Sequence, residues 1–246
     1  MKYKLTISYD GTSYSGWQVQ PNAISIQSLI QDALTTALRT PTPLSGSGRT
    51  DAGVHALNQT AHFTADAPQD PRKLTHSLNG LLPPDIRIKK IEQVPDDFHA
   101  RYSAKSKIYR YHLRLAVNPF TRLYSYHLPF PLDITLLKKA THHFIGEHDF
   151  TSFSNEAHKG SAAINPIRNL MRLDILEKQD EIILEFEANG FLYKMVRNIT
   201  GTLLDIARGK LPLENLPEIF AAKDRKKAAA AAPAHGLFLV NVIYEY

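Results

Sequence analysis

Gly46-Ser47-Gly48-Arg49-Thr50-Asp51-Ala52-Gly53-Val54-His55-Ala56 places three glycines within eight residues, with one cation and one carboxylate between them. Glycine at that density marks a backbone that bends sharply or that another group approaches closely. Beyond His55, Ala61, Phe63 and Ala65 fall on one face of a predicted strand. The loop is therefore short, held at its downstream end by regular structure, and presents a single acid, Asp51. A P-loop would end in Gly-Lys-Ser/Thr, and a dinucleotide fingerprint would need a third glycine opening a helix. Neither is present. A turn aspartate bonded to nearby amides and a phosphate-cradling nest both remain compatible with these residues.

Upstream of the loop, Tyr3, Leu5, Ile7 and Tyr9 alternate along a predicted strand that Asp10-Gly11 ends. Trp17, the single tryptophan, sits in a loop-like stretch and reads as a packing anchor. Ser25 is placed to cap a helix whose apolar positions run Ile26, Leu29, Ile30, Ala33, Leu34, Ala37 and Leu38, with Thr40-Pro41 ending it. Downstream, Pro71 suits the first turn of a helix carrying Leu74, Leu78 and Leu81. Pro83-Pro84 stops it, and Ile86 and Ile88 open another strand. Strand, helix, strand region, strand, helix, strand is the split βαβ order, a sheet with two helices on one face.

A similar order begins again at Lys107–Leu115, an alternating strand. A helix over Asp133–His143, strands over Arg168–Ile175 and Glu181–Ala188, and a helix over Phe191–Arg208 follow. An extra helix over Asn215–Lys223 and a strand over Leu237–Tyr244 close the chain. The prediction is an α+β fold of two ferredoxin-like halves, 1–105 and 106–246. Their antiparallel sheets form one extended sheet with helices on one side, and a cleft between the halves is the natural place for a site.

Period two along Lys107–Arg114 puts Tyr109, Tyr111 and Leu113 on one face and Arg110, His112 and Arg114 on the other. The tyrosines serve as core aromatics, or one of them stacks on an extruded base. Asn189-Gly190-Phe191-Leu192-Tyr193-Lys194-Met195-Val196-Arg197-Asn198 opens the long helix, with Arg197 on its polar side. His142, His143 and His148, with Glu147 and Asp149, match no metal-ligand spacing, so no metal is expected.

The 246 residues carry a net charge of +5 and a pI near 9.2, which suits a polyanionic partner without demanding one. The excess is spread over both halves, with no basic tail. Absence of cysteine excludes a thiolate nucleophile, a disulfide framework and the thiolate ligands of a zinc deaminase. The first residues lack an apolar signal core and no run reaches membrane-spanning length, so a soluble, cytoplasmic protein is expected.

The eleven-residue loop closely resembles the G-x-G-R-T-D-x-G-V-H-A motif of the tRNA pseudouridine synthases of the TruA type. The similarity extends through Tyr9-Asp10-Gly11, Gly16-Trp17-Gln18, the K-x-Y-R-Y stretch at Lys107–Tyr111 and Gly146–Phe150. It continues in N-G-F-L-Y-K-M-V-R at Asn189–Arg197 and in Ala232–Leu237. Ser28 stands where that family often has Gly, and Lys226–Ala232 replaces a more varied stretch. The resemblance implies that Asp51 is the catalytic carboxylate, that Arg197 pairs with it, and that Tyr109 contacts the base. Arg49 is the candidate for helping to extrude the nucleotide. It further implies uridines 38–40 of the tRNA anticodon stem-loop as substrate, base flipping, and a homodimer with tRNA lying across both subunits. Isomerising uridine is redox-neutral, so no cofactor is expected, and DNA is not an expected partner. The rival reading is a tRNA- or RNA-binding protein without catalysis; a metal-dependent nuclease is a distant third.

Overall fold

Alternation along the first residues builds strand β1 (Lys2–Tyr9): Tyr3, Leu5, Ile7 and Tyr9 are buried, and the residues between them are half-buried. A computed structural model of the chain describes residues 1–155 and 164–245. It divides into two compact units, Met1–Lys105 with Phe238–Tyr246, and Ser106–Leu237. The fold is mixed α+β with mostly antiparallel strands and five α-helices among the described residues.

In the first unit, β1 is followed by α1 (Ile26–Leu38), β2 (Ser45–Gly46), β3 (His55–Thr64), α2 (Pro71–Leu81) and β4 (Ile86–Val94). β1 is antiparallel to both β3 and β4, so Leu5 lies between Ala61 and Ile91, and Tyr3 pairs with Phe63. The Tyr3 and Phe63 rings stack at 5.4 Å. Burying each such side chain contributes roughly 1.5–3 kcal/mol, which fixes the register because a one-residue slip would expose the whole row. Ser25 caps α1 in a reciprocal box with Ser28, and Arg39 ends it in the left-handed conformation. Asp70 caps α2 by accepting from the Arg72 and Lys73 amides, with Pro71 in the first turn. Short β2 lies antiparallel along β3, pairing Gly46 with Ala61.

The second unit contains β5 (Ala104–Arg114), β6 (Tyr126–His127), α3 (Ile134–His142), β7 (Gly146–Asp149), β8 (Ile167–Lys178), β9 (Glu181–Ala188), α4 (Met195–Ala207) and α5 (Leu216–Ala222). Strands β5, β9, β8 and β7 are neighbours in that order, each pair antiparallel. Tyr109, Tyr111 and Leu113 are buried beside Phe186, Leu184 and Ile182 of β9. Arg110, on the other side of β5, is paired with a carboxylate of β9. Arg110 meets Glu185 at 2.5 Å, and Arg172 of β8 reaches both Glu185, at 2.6 Å, and Glu187, at 3.3 Å. Burial works against the Glu185 charge, but these two guanidinium groups outweigh it and hold the carboxyl below its ordinary range.

Two features depart from the sequence-based expectation. The helix expected from Phe191 begins only at Met195, because Lys194 adopts a left-handed conformation (φ 60°) that cannot lie inside a helix. The last strand, β10 (Leu237–Tyr244), is expected within a C-terminal half of 106–246, yet from Phe238 onward it belongs to the first unit. There Phe238 and Leu239 pair in parallel with His55 and Ala56 of β3, and the Tyr244 hydroxyl donates to the Ala100 carbonyl at 2.6 Å. Among the described residues, no helix is long and apolar enough to cross a membrane.

Candidate active site

The glycine-rich loop of the first unit is fixed from several directions. The Ser47 amide donates to the Thr60 carbonyl at 2.7 Å, and its hydroxyl donates to Gln59 Oε1 at 2.7 Å. Gln59 Nε2 in turn donates to the Gly48 carbonyl at 3.1 Å. The Thr50 hydroxyl bonds the buried Tyr9 hydroxyl at 2.8 Å, and burial pushes the Tyr9 phenol pKa upward, keeping it neutral. Trp17 donates its amide to the Thr50 carbonyl at 3.0 Å and is itself buried, in keeping with its reading as a packing anchor.

Glycine is required where this loop touches its neighbours. A Cβ on Gly11 would stand 2.0 Å from the Val54 carbonyl oxygen, and one on Gly46 would stand 2.5 Å from Trp17 Nε1. His55 is buried, accepts the Gly11 amide at Nδ1 (3.1 Å), and stacks on Phe238 at 4.6 Å, so its role is to lock the loop. Within this frame Asp51 is half-buried, and its carbonyl accepts the Val54 amide in a turn that Gly53 completes with φ 77°. Arg49 is exposed and donates from Nε to Gln18 Oε1 at 3.2 Å. A carboxylate on an over-determined turn, two residues from an exposed guanidinium, can act repeatedly without the loop having to reorganise.

The remaining two predicted site residues lie in the second unit. Tyr109 is buried on β5, with Phe191 edge-on at 5.0 Å. Arg197 occupies the first turn of α4, and its Nε donates to the Ala232 carbonyl at 2.8 Å, while the Ala232 amide returns a bond to the Arg197 carbonyl at 2.9 Å. Tyr111, expected to pack, does so with its hydroxyl donating to the Pro233 carbonyl at 2.7 Å and its ring against Gly236.

Residues 225–236 thus hold the arginine helix, a role that sequence reasoning does not give them. Arg225 donates to Asn155 Oδ1 at 3.2 Å, the Ala228 carbonyl at 3.1 Å and Asn198 Oδ1 at 2.9 Å. Asn198, fully buried, donates to the Phe153 carbonyl at 2.7 Å and to Asn155 Oδ1 at 2.9 Å. An amide on the otherwise apolar side of an amphipathic helix is the available signal. The histidine-rich stretch has a packing role instead: His148 lies against Phe150 and Phe220, and Asp149 pairs with Lys223 at 2.9 Å.

The family profile described as tRNA pseudouridine synthase matches residues 5–103 and 140–245. The chain belongs to this family. It is 57% identical over 246 residues to tRNA pseudouridine synthase A 1 of Protochlamydia amoebophila, covering 99% of this chain and 96% of that one. It is 43% identical over 249 residues to tRNA pseudouridine synthase A of Limosilactobacillus reuteri, covering 99% and 96%. To the protein of the same name from Exiguobacterium sp. strain ATCC BAA-1283 / AT1b it is 42% identical over 244 residues, covering 99% and 98%. Membership makes the chain an isomerase that acts on tRNA.

Proposed function

We propose that this synthase converts uridines 38–40, on the 3′ side of the tRNA anticodon stem-loop, to pseudouridine, with Asp51 as the essential carboxylate. The observation that carries the reading is the fixed turn around Asp51, built from the family's motif residues Gly46–Ala56. The reaction breaks the bond between ribose C1′ and base N1 and makes one between C1′ and C5. The C5 hydrogen leaves as a proton and N1 gains one, so no electrons are exchanged. Bases in a stem are stacked, so the target nucleotide is flipped out first. Arg49, exposed beside Asp51, helps extrude it or fills its place. Tyr109 contacts the flipped base, and Arg197 pairs with Asp51 and orients it, as a neighbouring cation does for a catalytic carboxylate.

Support for two ferredoxin-like halves is the order β1-α1-β2-β3-α2-β4, with β4, β1, β3 and β2 neighbours in the sheet, and the comparable run β5-α3-β8-β9-α4 in the second unit. A homodimer completes the proposal, and sedimentation of the protein with and without tRNA tests that part.

The deciding experiment follows tritium release from tRNA transcript labelled at uridine C5. Wild type releases tritium, Asp51→Asn does not while still binding tRNA, and a transcript with cytidine at positions 38–40 is inert. Release from that transcript would overturn the position assignment, and full activity in Asp51→Asn would overturn the assignment of the carboxylate. If Asp51 and Arg197 act as one unit, Arg197→Ala adds little further loss to the Asp51 variant.

A further inference from the structure

Strand β6 pairs in parallel with the end of β5, Leu113 with Tyr126 and Arg114 with His127. The chain between them must therefore leave the sheet and return, and it does so through a tight turn at Asn118–Thr121. Asn118 Oδ1 accepts the Phe120 amide at 2.9 Å, and the Thr121 carbonyl accepts both the Tyr124 amide at 2.9 Å and the Ser125 hydroxyl at 3.0 Å. This excursion walls a cavity of about 190 Å³ whose polar lining includes Arg114, Arg122, His127, His235, Thr121 and Ser125. No carboxylate is among the lining residues.

Arg114 Nε is buried and has no hydrogen-bond partner among the described residues. The same guanidinium stands 3.7 Å from Glu181, but that carboxylate is closer to His112, at 2.9 Å. A buried guanidinium N–H without an acceptor is costly and calls for an anion or water. Burial and the nearby Arg197 charge hold the His235 pKa below its ordinary value, so the two arginines supply the fixed charge of the cavity. Its volume is below the roughly 300–1,000 Å³ of pockets that enclose whole ligands, and suits one tetrahedral anionic group with a few waters of about 30 Å³ each. On the same loop Phe120 is 89% exposed. A cationic recess beside an exposed aromatic is the pairing by which proteins grip nucleic-acid backbone and unstacked bases.

We propose that this cavity seats a backbone phosphodiester of the RNA substrate, with Arg114 and Arg122 on its oxygens and Phe120 against the adjoining nucleoside. The proposal rests on tRNA being the substrate and adds a contact away from the Asp51 loop. It is tested by the affinity of full-length Arg122→Gln, Arg122→Lys and Phe120→Ala for unmodified tRNA transcript across a potassium chloride series, with tritium release in parallel. Arg122→Gln should lower the slope of log affinity against log salt by about 0.7–0.9, the loss of one phosphate contact, while Arg122→Lys keeps it. Phe120→Ala should weaken binding several-fold without changing the slope, and saturating tRNA should restore turnover in all three. A slope and affinity unchanged in Arg122→Gln overturn the proposal even though wild type isomerises. So does a shift in oligomeric state without a change in slope, which would make the loop a protein contact. A wild type that binds tRNA but releases no tritium overturns the synthase assignment instead, and the salt slopes then still decide the cavity.

Discussion

Arg197 and Ala232 bond each other twice: the guanidinium Nε donates to the Ala232 carbonyl at 2.8 Å, and the Ala232 amide donates to the Arg197 carbonyl at 2.9 Å. One donor of the side chain is thereby committed to backbone, which restricts how the rest of the guanidinium can turn. Lysine has the charge but no Nε–H in that position. Arg197→Lys should therefore lower kcat by roughly 10–100-fold, as expected for losing a hydrogen bond to a charged group of about 1.5–3 kcal/mol. The thermal midpoint should move little. A kcat equal to wild type would show that the Nε–H bond to Ala232 does not contribute to catalysis.

The strap that holds Arg197 needs Gly201. A Cβ there would lie 1.9 Å from the Ala230 carbonyl oxygen, a backbone atom that cannot swing away. Alanine in a helix ordinarily gains up to about 1 kcal/mol over glycine, but a clash of this kind costs about 1–3 kcal/mol or more, so the clash wins. Gly201→Ala should be destabilised in urea melts and lose activity as residues 230–232 are pushed off α4. Gly80 in α2 is the contrast, since a methyl added there would meet nothing within 4 Å: Gly80→Ala should be neutral or slightly stabilising.

Asn198 joins three segments through one amide, accepting from Arg225 and donating to Phe153 and Asn155. Truncation leaves the Phe153 carbonyl, in a buried bond, and one Arg225 nitrogen, in a half-buried one, without their present partner. Asn198→Ala should lose about 2–4 kcal/mol in equilibrium unfolding, with each orphaned group contributing about 1–3 kcal/mol. A loss under about 0.5 kcal/mol, the range of an ordinary surface change, would show that the network carries little stability.

Much of this architecture is legible because period-two and helical patterns are local. Tyr3, Leu5, Ile7 and Tyr9 announce β1, and Ser25 and Pro71 mark helix starts within a residue of where α1 and α2 begin. The Gly46–Ala56 loop stands out as a candidate site because its glycines and charges form a long, specific string. What is not legible depends on tertiary context. Lys194 takes a positive φ without glycine to signal it, so α4 begins later than its apolar pattern suggests. The two-residue strands β2 and β6 carry too little pattern to be seen, and the parallel pairing of β10 with β3 joins residues far apart in sequence. The partners of Arg197 escape for the same reason: the Ala232 carbonyl is a backbone group, and no side-chain chemistry marks it.

The first unit should also weaken in mild acid through His62. Its Nδ1 accepts the Ala100 amide at 3.1 Å, which requires the neutral ring, and its ring meets that of His99 at 4.7 Å. Burial first, and then the charges of His99 and Lys2, depress its pKa from 6.5 to about 4. His99 is shifted in the same direction, again chiefly by burial, and its Nδ1 accepts the Arg101 and Tyr102 amides. A histidine with a lower pKa folded than unfolded binds fewer protons in the native state. The stability it contributes is therefore full above the unfolded value and is lost as pH falls from about 6.5 towards about 4. Paired carboxylates such as Glu185 hold their charge until lower pH, so a comparison of about pH 7 with about pH 5 isolates the histidines. Urea midpoints should fall over that interval in wild type and fall less in His62→Gln, whose amide oxygen can accept the Ala100 N–H without titrating. Equal falls in the two proteins would place the acid sensitivity elsewhere in the chain.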